Sequence, residues 1–173
     1  MCLDLWPISL SAGGLTRGII YDAIADKCED LYLECDHIIN TSPAFVKYNE
    51  LENEIPLNRM SWHFQPCEDC FKGVDTSKKK DFDYLDLMFA GNIGHVQNVI
   101  DIVKAYQLVN NPKMRIHIFG EGSEYKNVKK YVLDNHLENN IIMYGRLLKE
   151  EVNKRIVDMD ACLLTLSDKT FIG

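Results

Sequence analysis

Three short apolar runs, each ending in glycine, limit what this chain can fold into more than any other feature. Tyr84-Leu85-Asp86-Leu87-Met88-Phe89-Ala90 runs into Gly91, Met114-Arg115-Ile116-His117-Ile118-Phe119 into Gly120, and Asn140-Ile141-Ile142-Met143-Tyr144 into Gly145. Each has the length and apolar content of a buried strand. Helical periods follow them: Val96 to Val109, with Val99, Ile100, Val103 and Leu108 on or near one face, then Glu124 to Leu137 and Leu148 to Val157. A fourth strand pattern, Ala161-Cys162-Leu163-Leu164-Thr165-Leu166, comes last. Alternating strands and helices need crossover connections, so the strands are expected to be parallel and the sheet doubly wound. Ligands of such sheets sit at the carboxyl ends of the strands, where these glycines fall.

The three turns read Gly91-Asn92-Ile93-Gly94, Gly120-Glu121-Gly122 and Tyr144-Gly145-Arg146. Glycine there permits positive φ and close approach of a ligand to the backbone. The next helix then offers N–H groups and its positive end to a phosphate. One such turn is explained equally well by packing, but three on successive strands of one sheet point to a nucleotide site. Two familiar fingerprints are absent. The first turn has glycine only at Gly91 and Gly94, and no acidic residue ends the second strand to hold a ribose, so it is not the dinucleotide motif. No Gly-Lys-Ser/Thr occurs, so it is not a P-loop.

Residues 72–83 are polar and charged without apolar period, which reads as a linker or exposed loop, with Lys78-Lys79-Lys80 as solvated charge rather than a phosphate patch. Upstream the pattern is mixed. Leu15 to Leu33 sets Ile19, Ile20, Ala23, Ile24, Leu31 and Tyr32 on a mostly helical period. His37-Ile38-Ile39-Asn40 is a short strand, Ser42 an N-cap with Pro43 in the first helical position, and Arg59 to Phe64 a second strand. These elements are too few to enclose a core of their own, so residues 1–71 read as the tail of a domain and 84–173 as a second, more regular one.

Composition narrows the function classes. An apolar fraction of 46% and a charged fraction of 26% in 173 residues are globular values. A net charge of −7 argues against a broad nucleic-acid face. It leaves room for one nucleotide, because backbone N–H groups hold a diphosphate inside an acidic protein. No apolar run approaches the roughly 18 residues of a membrane span, and Met1 to Pro7 carries Asp4 and no basic cluster, unlike a signal peptide. The expectation is a cytoplasmic protein whose six cysteines are reduced. Cys2, Cys28, Cys35 and Cys162 read as small hydrophobes. Cys67-Glu68-Asp69-Cys70 has the spacing of a metal or redox pair, but no second pair exists and His63 makes only a third ligand, so it reads as a solvent-side loop. Trp6 and Trp62 read as core or inter-domain packing, and His37, His63, His117 and His136 as structural. His95, in the first turn, is read as an exposed residue at a helix start, with a base as the alternative.

The order of these motifs resembles the donor domain of retaining GT-B glycosyltransferases of the group 1 (family four) type. The segments that carry it are Phe89-Ala90-Gly91-Asn92-Ile93-Gly94 with Gln97-Asn98, Ile116-His117-Ile118-Phe119-Gly120-Glu121-Gly122-Ser123, Leu137 to Arg146, and Asp158-Met159-Asp160-Ala161-Cys162-Leu163-Leu164. Upstream, Asp4-Leu5-Trp6-Pro7 and Cys35 to Pro43 look like the end of the same enzymes' acceptor domain, and the whole is similar to the subgroup that builds capsule, O-antigen and exopolysaccharide repeats. The fold implied is a Rossmann-like parallel α/β sheet, an incomplete GT-B donor domain with the tail of the acceptor domain.

The resemblance implies donor-binding roles for Gly91, Asn92, Gly94 and Gln97 at the diphosphate, and for Gly120 and Gly122 in the pocket wall. Tyr144, Gly145, Arg146 and Leu147 fall on the segment that holds the base, and Thr165 and Asp168 face the sugar or diphosphate, as does Ser167. Arg146 reads equally as a surface charge, and Asp168 equally as a turn or cap residue. Relatives carry arginine and lysine where this chain has Asn92 and Gln97, which donate hydrogen bonds but bring no charge, so the helix end would do more of the neutralising. No cofactor or metal is implied. The implied partners are a nucleotide sugar, with UDP-sugar expected, and a lipid-linked or saccharide acceptor at the inner membrane face, where the protein would sit peripherally. Relatives place a Glu-x7-Glu beyond the fourth strand, and Thr170-Phe171-Ile172-Gly173 precedes any such motif. Two readings follow: a glycosyltransferase fragment, or a non-catalytic remnant or partner subunit that pairs with a complementary fragment.

Overall fold

The computed structural model describes residues 1–12, 14–66, 69, 72 and 83–167. Most of the expected linker, the pair Cys67 and Cys70, and Asp168 lie outside them. The chain divides into two compact units, Met1–Pro66 and Cys67–Asp168.

The first unit contains α1 (Ile8–Ala12), α2 (Ile19–Glu34), β1 (Ile38–Asn40), α3 (Pro43–Glu52), a 3-10 turn at Leu57–Arg59, and β2 (Met60–Trp62). β1 and β2 are parallel, with Ile38 opposite Met60, and Cys2 bridges to Asn40 on the same strand. α3 starts where Ser42 and Pro43 place it, with Ser42 Oγ accepting the Phe45 N–H at 3.3 Å. Ile38, Ile55 and Met60 form a small core. Beside it the fully buried Asn40 and Asn49 satisfy each other, Asn49 Nδ2 donating to Asn40 Oδ1 at 2.8 Å. α2 opens at Ile19 rather than Leu15, and of its apolar period Tyr32 packs against this core. Ile19, Ile20 and Leu31 are exposed, and Tyr21 is the buried residue instead. Trp6 and Trp62 also depart from expectation, 44% and 42% exposed, with Trp62 meeting only Phe64 edge-on among aromatic rings of the described residues. Cys35 is exposed as well.

The second unit runs β3 (Leu85–Ala90), α4 (Val99–Val109), β4 (Met114–Phe119), α5 (Tyr125–Asp134), β5 (Ile141–Gly145), α6 (Lys149–Ile156) and β6 (Ala161–Cys162). All four strands are parallel in the order β5-β4-β3-β6. The chain steps from β3 to β4 to β5, then returns to the far side of β3, so the winding reverses between β3 and β6. In a sheet of this kind that reversal opens a crevice at the carboxyl ends of the two strands.

Alternation along the strands sorts the two faces. Phe89, Ile116, Ile118 and Ile141 share one buried cluster with Val99, Ile102, Val103 and Tyr106 of α4 and Val128 and Val132 of α5. Asp86 and His117 fall on the other face. The helix seams differ slightly from the sequence reading. α4 begins at Val99, because Asn98 before it is left-handed at φ 47°, and Leu108 is 87% exposed while Tyr106 takes the buried position. α5 ends at Asp134, because His136 turns left-handed at φ 55° and the Leu137 N–H returns to the Val132 carbonyl. β6 is two residues long rather than six, with Cys162 exposed. Among the described residues its neighbour is β3 alone, and its pairing ends where the Leu163 N–H meets the Met88 carbonyl at 2.6 Å.

Candidate functional site

The first two glycine turns interlock. The Gly91 N–H donates to the Phe119 carbonyl at 3.0 Å, the Ile93 N–H to the Glu121 carbonyl at 2.9 Å, and the Glu124 N–H to the Ile93 carbonyl at 2.9 Å. This leaves no room for a side chain at either glycine of the second turn. A Cβ on Gly120, at φ +133°, would lie 1.8 Å from the Gly91 carbonyl oxygen, and one on Gly122 would lie 2.5 Å from that of Ile93. The glycines expected to admit a ligand here admit the neighbouring turn of the protein itself. Ile93 is the plug of the joint, with none of its surface exposed. Burying it contributes roughly 2–3 kcal/mol. The sequence reading missed it, although a lone apolar residue between Asn92 and Gly94 is the pattern that marks such a plug.

The third turn joins from the other side. The Gly120 N–H donates to the Gly145 carbonyl at 2.8 Å. Gly145 has φ +73°, which favours glycine, yet a Cβ there would meet nothing nearer than the Tyr125 hydroxyl at 3.8 Å. A Cβ would fit there in ordinary contact with that hydroxyl and with Glu121 Oε1 at 3.9 Å. Arg146 is exposed and Leu147 half-buried. Tyr144 is not a free aromatic face. Its ring stacks on Phe119 at 4.5 Å between centroids, and the Arg155 guanidinium lies 4.8 Å from its centre.

The first turn carries the amide pair. Asn92 Nδ2 donates to Gln97 Oε1 at 3.2 Å, so the two amides hold each other across the turn. His95 is 80% exposed, as expected, and its Nε2 lies 3.0 Å from Glu124 Oε1 at the start of α5. Glu124 also accepts from Asn127. The positive end of α5 is therefore already answered by a carboxylate of its own. The segment after β6 closes the crevice on its side. Thr165 Oγ1 donates to the Gln97 carbonyl at 2.6 Å, and the Ser167 N–H to the Val96 carbonyl at 2.7 Å. Thr165 thus ties the segment that follows β6 to the first turn.

Behind these turns, on the sheet face opposite α4 and α5, lies a charged network. Arg115 grips Asp86 in a bidentate pair at 2.6 and 2.7 Å, and His117 Nε2 lies 3.0 Å from Asp86 Oδ1. The hydrogen bond from Arg115 first, and that from His117 after it, hold the Asp86 carboxyl below the ordinary carboxylate range despite the opposing effect of burial. Asp160 Oδ2 caps the Asp86 N–H. A separate groove of about 340 Å³, lined by Leu87, Ile102, Ala105, Tyr106 and Leu163 among others, runs along α4. Its walls are almost wholly apolar, which suits neither a phosphate nor a sugar. Among the described residues, no group of three or more His, Cys, Asp or Glu side chains could hold a metal ion.

Of the expected donor residues, the structure gathers Gly91, Asn92, Gly94, Gln97, Gly120, Gly122 and Thr165 into one knot of turns at the carboxyl end of the sheet, with Gly145 bonded to it.

The profile of the family Glycosyl transferases group 1 matches residues 75–171. A probable glycosyltransferase, WbjE, of Pseudomonas aeruginosa is 34% identical over 83 residues, which are 48% of this chain and 20% of that protein. The apo lipopolysaccharide outer core galactosyltransferase WaaB superposes with a TM-score of 0.61 at 20% identity, over 76% of this chain and 37% of its own. A point mutant of S. aureus TarM, solved with fondaparinux, α-GlcNAc-glycerol and UDP, does so at 0.62 and 13% identity, over 85% and 28%. These structural likenesses show the fold, a Rossmann-like GT-B arrangement of parallel strands, and the chain spans well under half the length of each relative. With the profile covering more than half of its residues, this chain belongs to the group 1 glycosyl transferases.

Proposed function

We propose that the chain carries the donor-nucleotide part of a retaining glycosyltransferase that moves a sugar from a nucleoside diphosphate, UDP being the expected one, to a saccharide or lipid-linked acceptor in cell-surface polysaccharide synthesis. Residues 84–173 act as the donor domain, 72–83 as linker, and 1–71 as the acceptor-domain side. The observation that carries this reading is the knot of glycine turns at the carboxyl end of a parallel sheet, in a chain that belongs to this family. A UDP complex of TarM, which shares the fold, favours the choice of nucleotide.

The backbone at Gly145 takes the base, with Arg146 and Leu147 beside it. The diphosphate lies against the first turn, where the Asn92 and Gln97 amides donate hydrogen bonds in place of cationic charge. Their mutual bond holds both amides in place before the ligand arrives, which lowers the ordering cost of binding. Transfer also needs the acceptor held against the donor with water excluded. A complementary glycosyltransferase segment provides that groove in this reading. No described helix is long and apolar enough to cross a membrane, so contact with a lipid-linked acceptor is peripheral here.

The test is thermal unfolding of the purified chain with and without UDP. A ligand at 100 times its Kd stabilises by about 2.7 kcal/mol, a shift of several degrees for a domain of this size. Unchanged melting at millimolar UDP overturns the reading.

A further inference from the structure

We propose that His117 is a positioning residue for nucleotide recognition, acting through Tyr144 to hold the Gly145-Arg146-Leu147 turn. The proposal rests on the reading above that this turn takes the base.

The register supplies the first observation. Ile118 lies opposite Met143, but Phe119 lies opposite Gly145, so Tyr144 is an extra residue in β5 with no ladder partner of its own. Such a bulged residue re-aims the chain that follows it, and its side chain must be held by something other than the ladder. Here the re-aimed chain is the Gly145 turn, set at φ +73° with its carbonyl on the Gly120 N–H.

The second observation is what holds Tyr144. Phe119 and Arg155 lie against its ring at 4.5 and 4.8 Å, contacts that tolerate sliding of the ring in its own plane. The hydroxyl, 3.0 Å from His117 Nδ1, fixes where along that plane the ring stops.

The third observation is why that bond has one direction. Asp86, kept ionised by the bidentate Arg115, can only accept, so His117 Nε2 at 3.0 Å carries the proton. With Nε2 donating to Asp86, the tautomer that carries its one proton there accepts the Tyr144 O–H at Nδ1, so Asp86, His117 and Tyr144 form one chain of hydrogen bonds. Charge buried under β3 thereby sets the phase of a turn at the end of β5.

The experiment uses three variants of the whole chain: Tyr144→Phe, which removes one hydroxyl and keeps the ring; His117→Leu, which removes the acceptor; and His117→Asn, whose side-chain oxygen replaces Nδ1. Two readouts are taken, amide hydrogen exchange at Gly145, Arg146 and Leu147, and affinity for UDP beside inorganic pyrophosphate. Tyr144→Phe and His117→Leu are expected to raise exchange at those three amides and to weaken UDP by about threefold to tenfold, the span of one neutral hydrogen bond. Pyrophosphate affinity is expected to stay the same, and His117→Asn to stay within about twofold of the parent on the same scale. The double variant of Tyr144→Phe and His117→Leu should be no worse than His117→Leu alone, because the bond lost in Tyr144→Phe is already absent there. Unchanged turn amides in folded Tyr144→Phe overturn the proposal, as do equal losses for UDP and pyrophosphate. If the parent binds neither ligand, the reading of the site fails, and the exchange measurement still decides whether His117 sets the turn.

Discussion

The turns after β4 and β5 both begin with a glycine at positive φ, yet the space beside them is filled differently. At Gly120 the missing side chain makes way for the Gly91 carbonyl, 1.8 Å from where a Cβ would stand. At Gly145 the nearest atom is 3.8 Å away. One glycine is required by the protein's own backbone, the other by its φ of +73° alone. A glycine at a strand end therefore signals either a packing joint or a left-handed turn. Only the second has side-chain atoms rather than backbone beside its α-carbon.

The largest effect should come from filling the joint. Gly120→Ala combines a backbone collision with an unfavourable φ, and it should destabilise the sheet unit by about 3 kcal/mol or more. Denaturant unfolding measures it, and a loss below about 1 kcal/mol would mean the two turns are not locked together.

Asp86→Asn should come next, at about 1–3 kcal/mol, because it weakens a charged bidentate bond beneath both turns. The same carboxylate predicts an acid dependence. Its folded pKa is lowered, chiefly by the Arg115 hydrogen bond. Its contribution is therefore complete above the ordinary carboxylate pKa and is lost as the pH falls through the lowered value. Melting temperatures taken from about pH 6 down to about pH 2 should fall more steeply for the parent than for Asp86→Asn. Parallel curves would remove Asp86 from the account.

Gly145→Ala should have the smallest effect on stability, about 1–2 kcal/mol from the left-handed backbone alone. Because its Cβ would stand on the turn proposed to take the base, beside the Tyr125 hydroxyl and the Glu121 carboxylate, UDP affinity should fall by more than stability does. A variant with unaltered affinity would show that this side of the third turn faces no nucleotide.

Much of this was legible before any coordinates. The apolar runs of β3, β4 and β5 named their own strands, and the alternation with helices implied the parallel sheet that is found. Ser42 and Pro43 marked the start of α3. Helix ends were less readable, because Asn98 and His136 take left-handed conformations that glycine usually signals. Leu108, and Ile19, Ile20 and Leu31 of α2, followed a period and yet stand exposed, which periodicity alone cannot reveal. The interlock of Gly120 and Gly122 with the first turn depends on which strands become neighbours, and so was invisible in the chain order. His117 was read as structural. Its bonds to Asp86 and Tyr144 join residues from three strands, and only the register brings them together.

The most direct test follows the backbone amides of labelled protein while UDP is added. The account predicts that shifts concentrate at Asn92, Gly94 and Gln97 in the first turn and at Gly145, Arg146 and Leu147 in the third. Gly120, locked against Gly91, should move less, and Leu108 at the far end of α4 should not move. Shifts centred on the apolar groove of Ile102 and Leu163, or no saturable shifts at millimolar UDP, would contradict it.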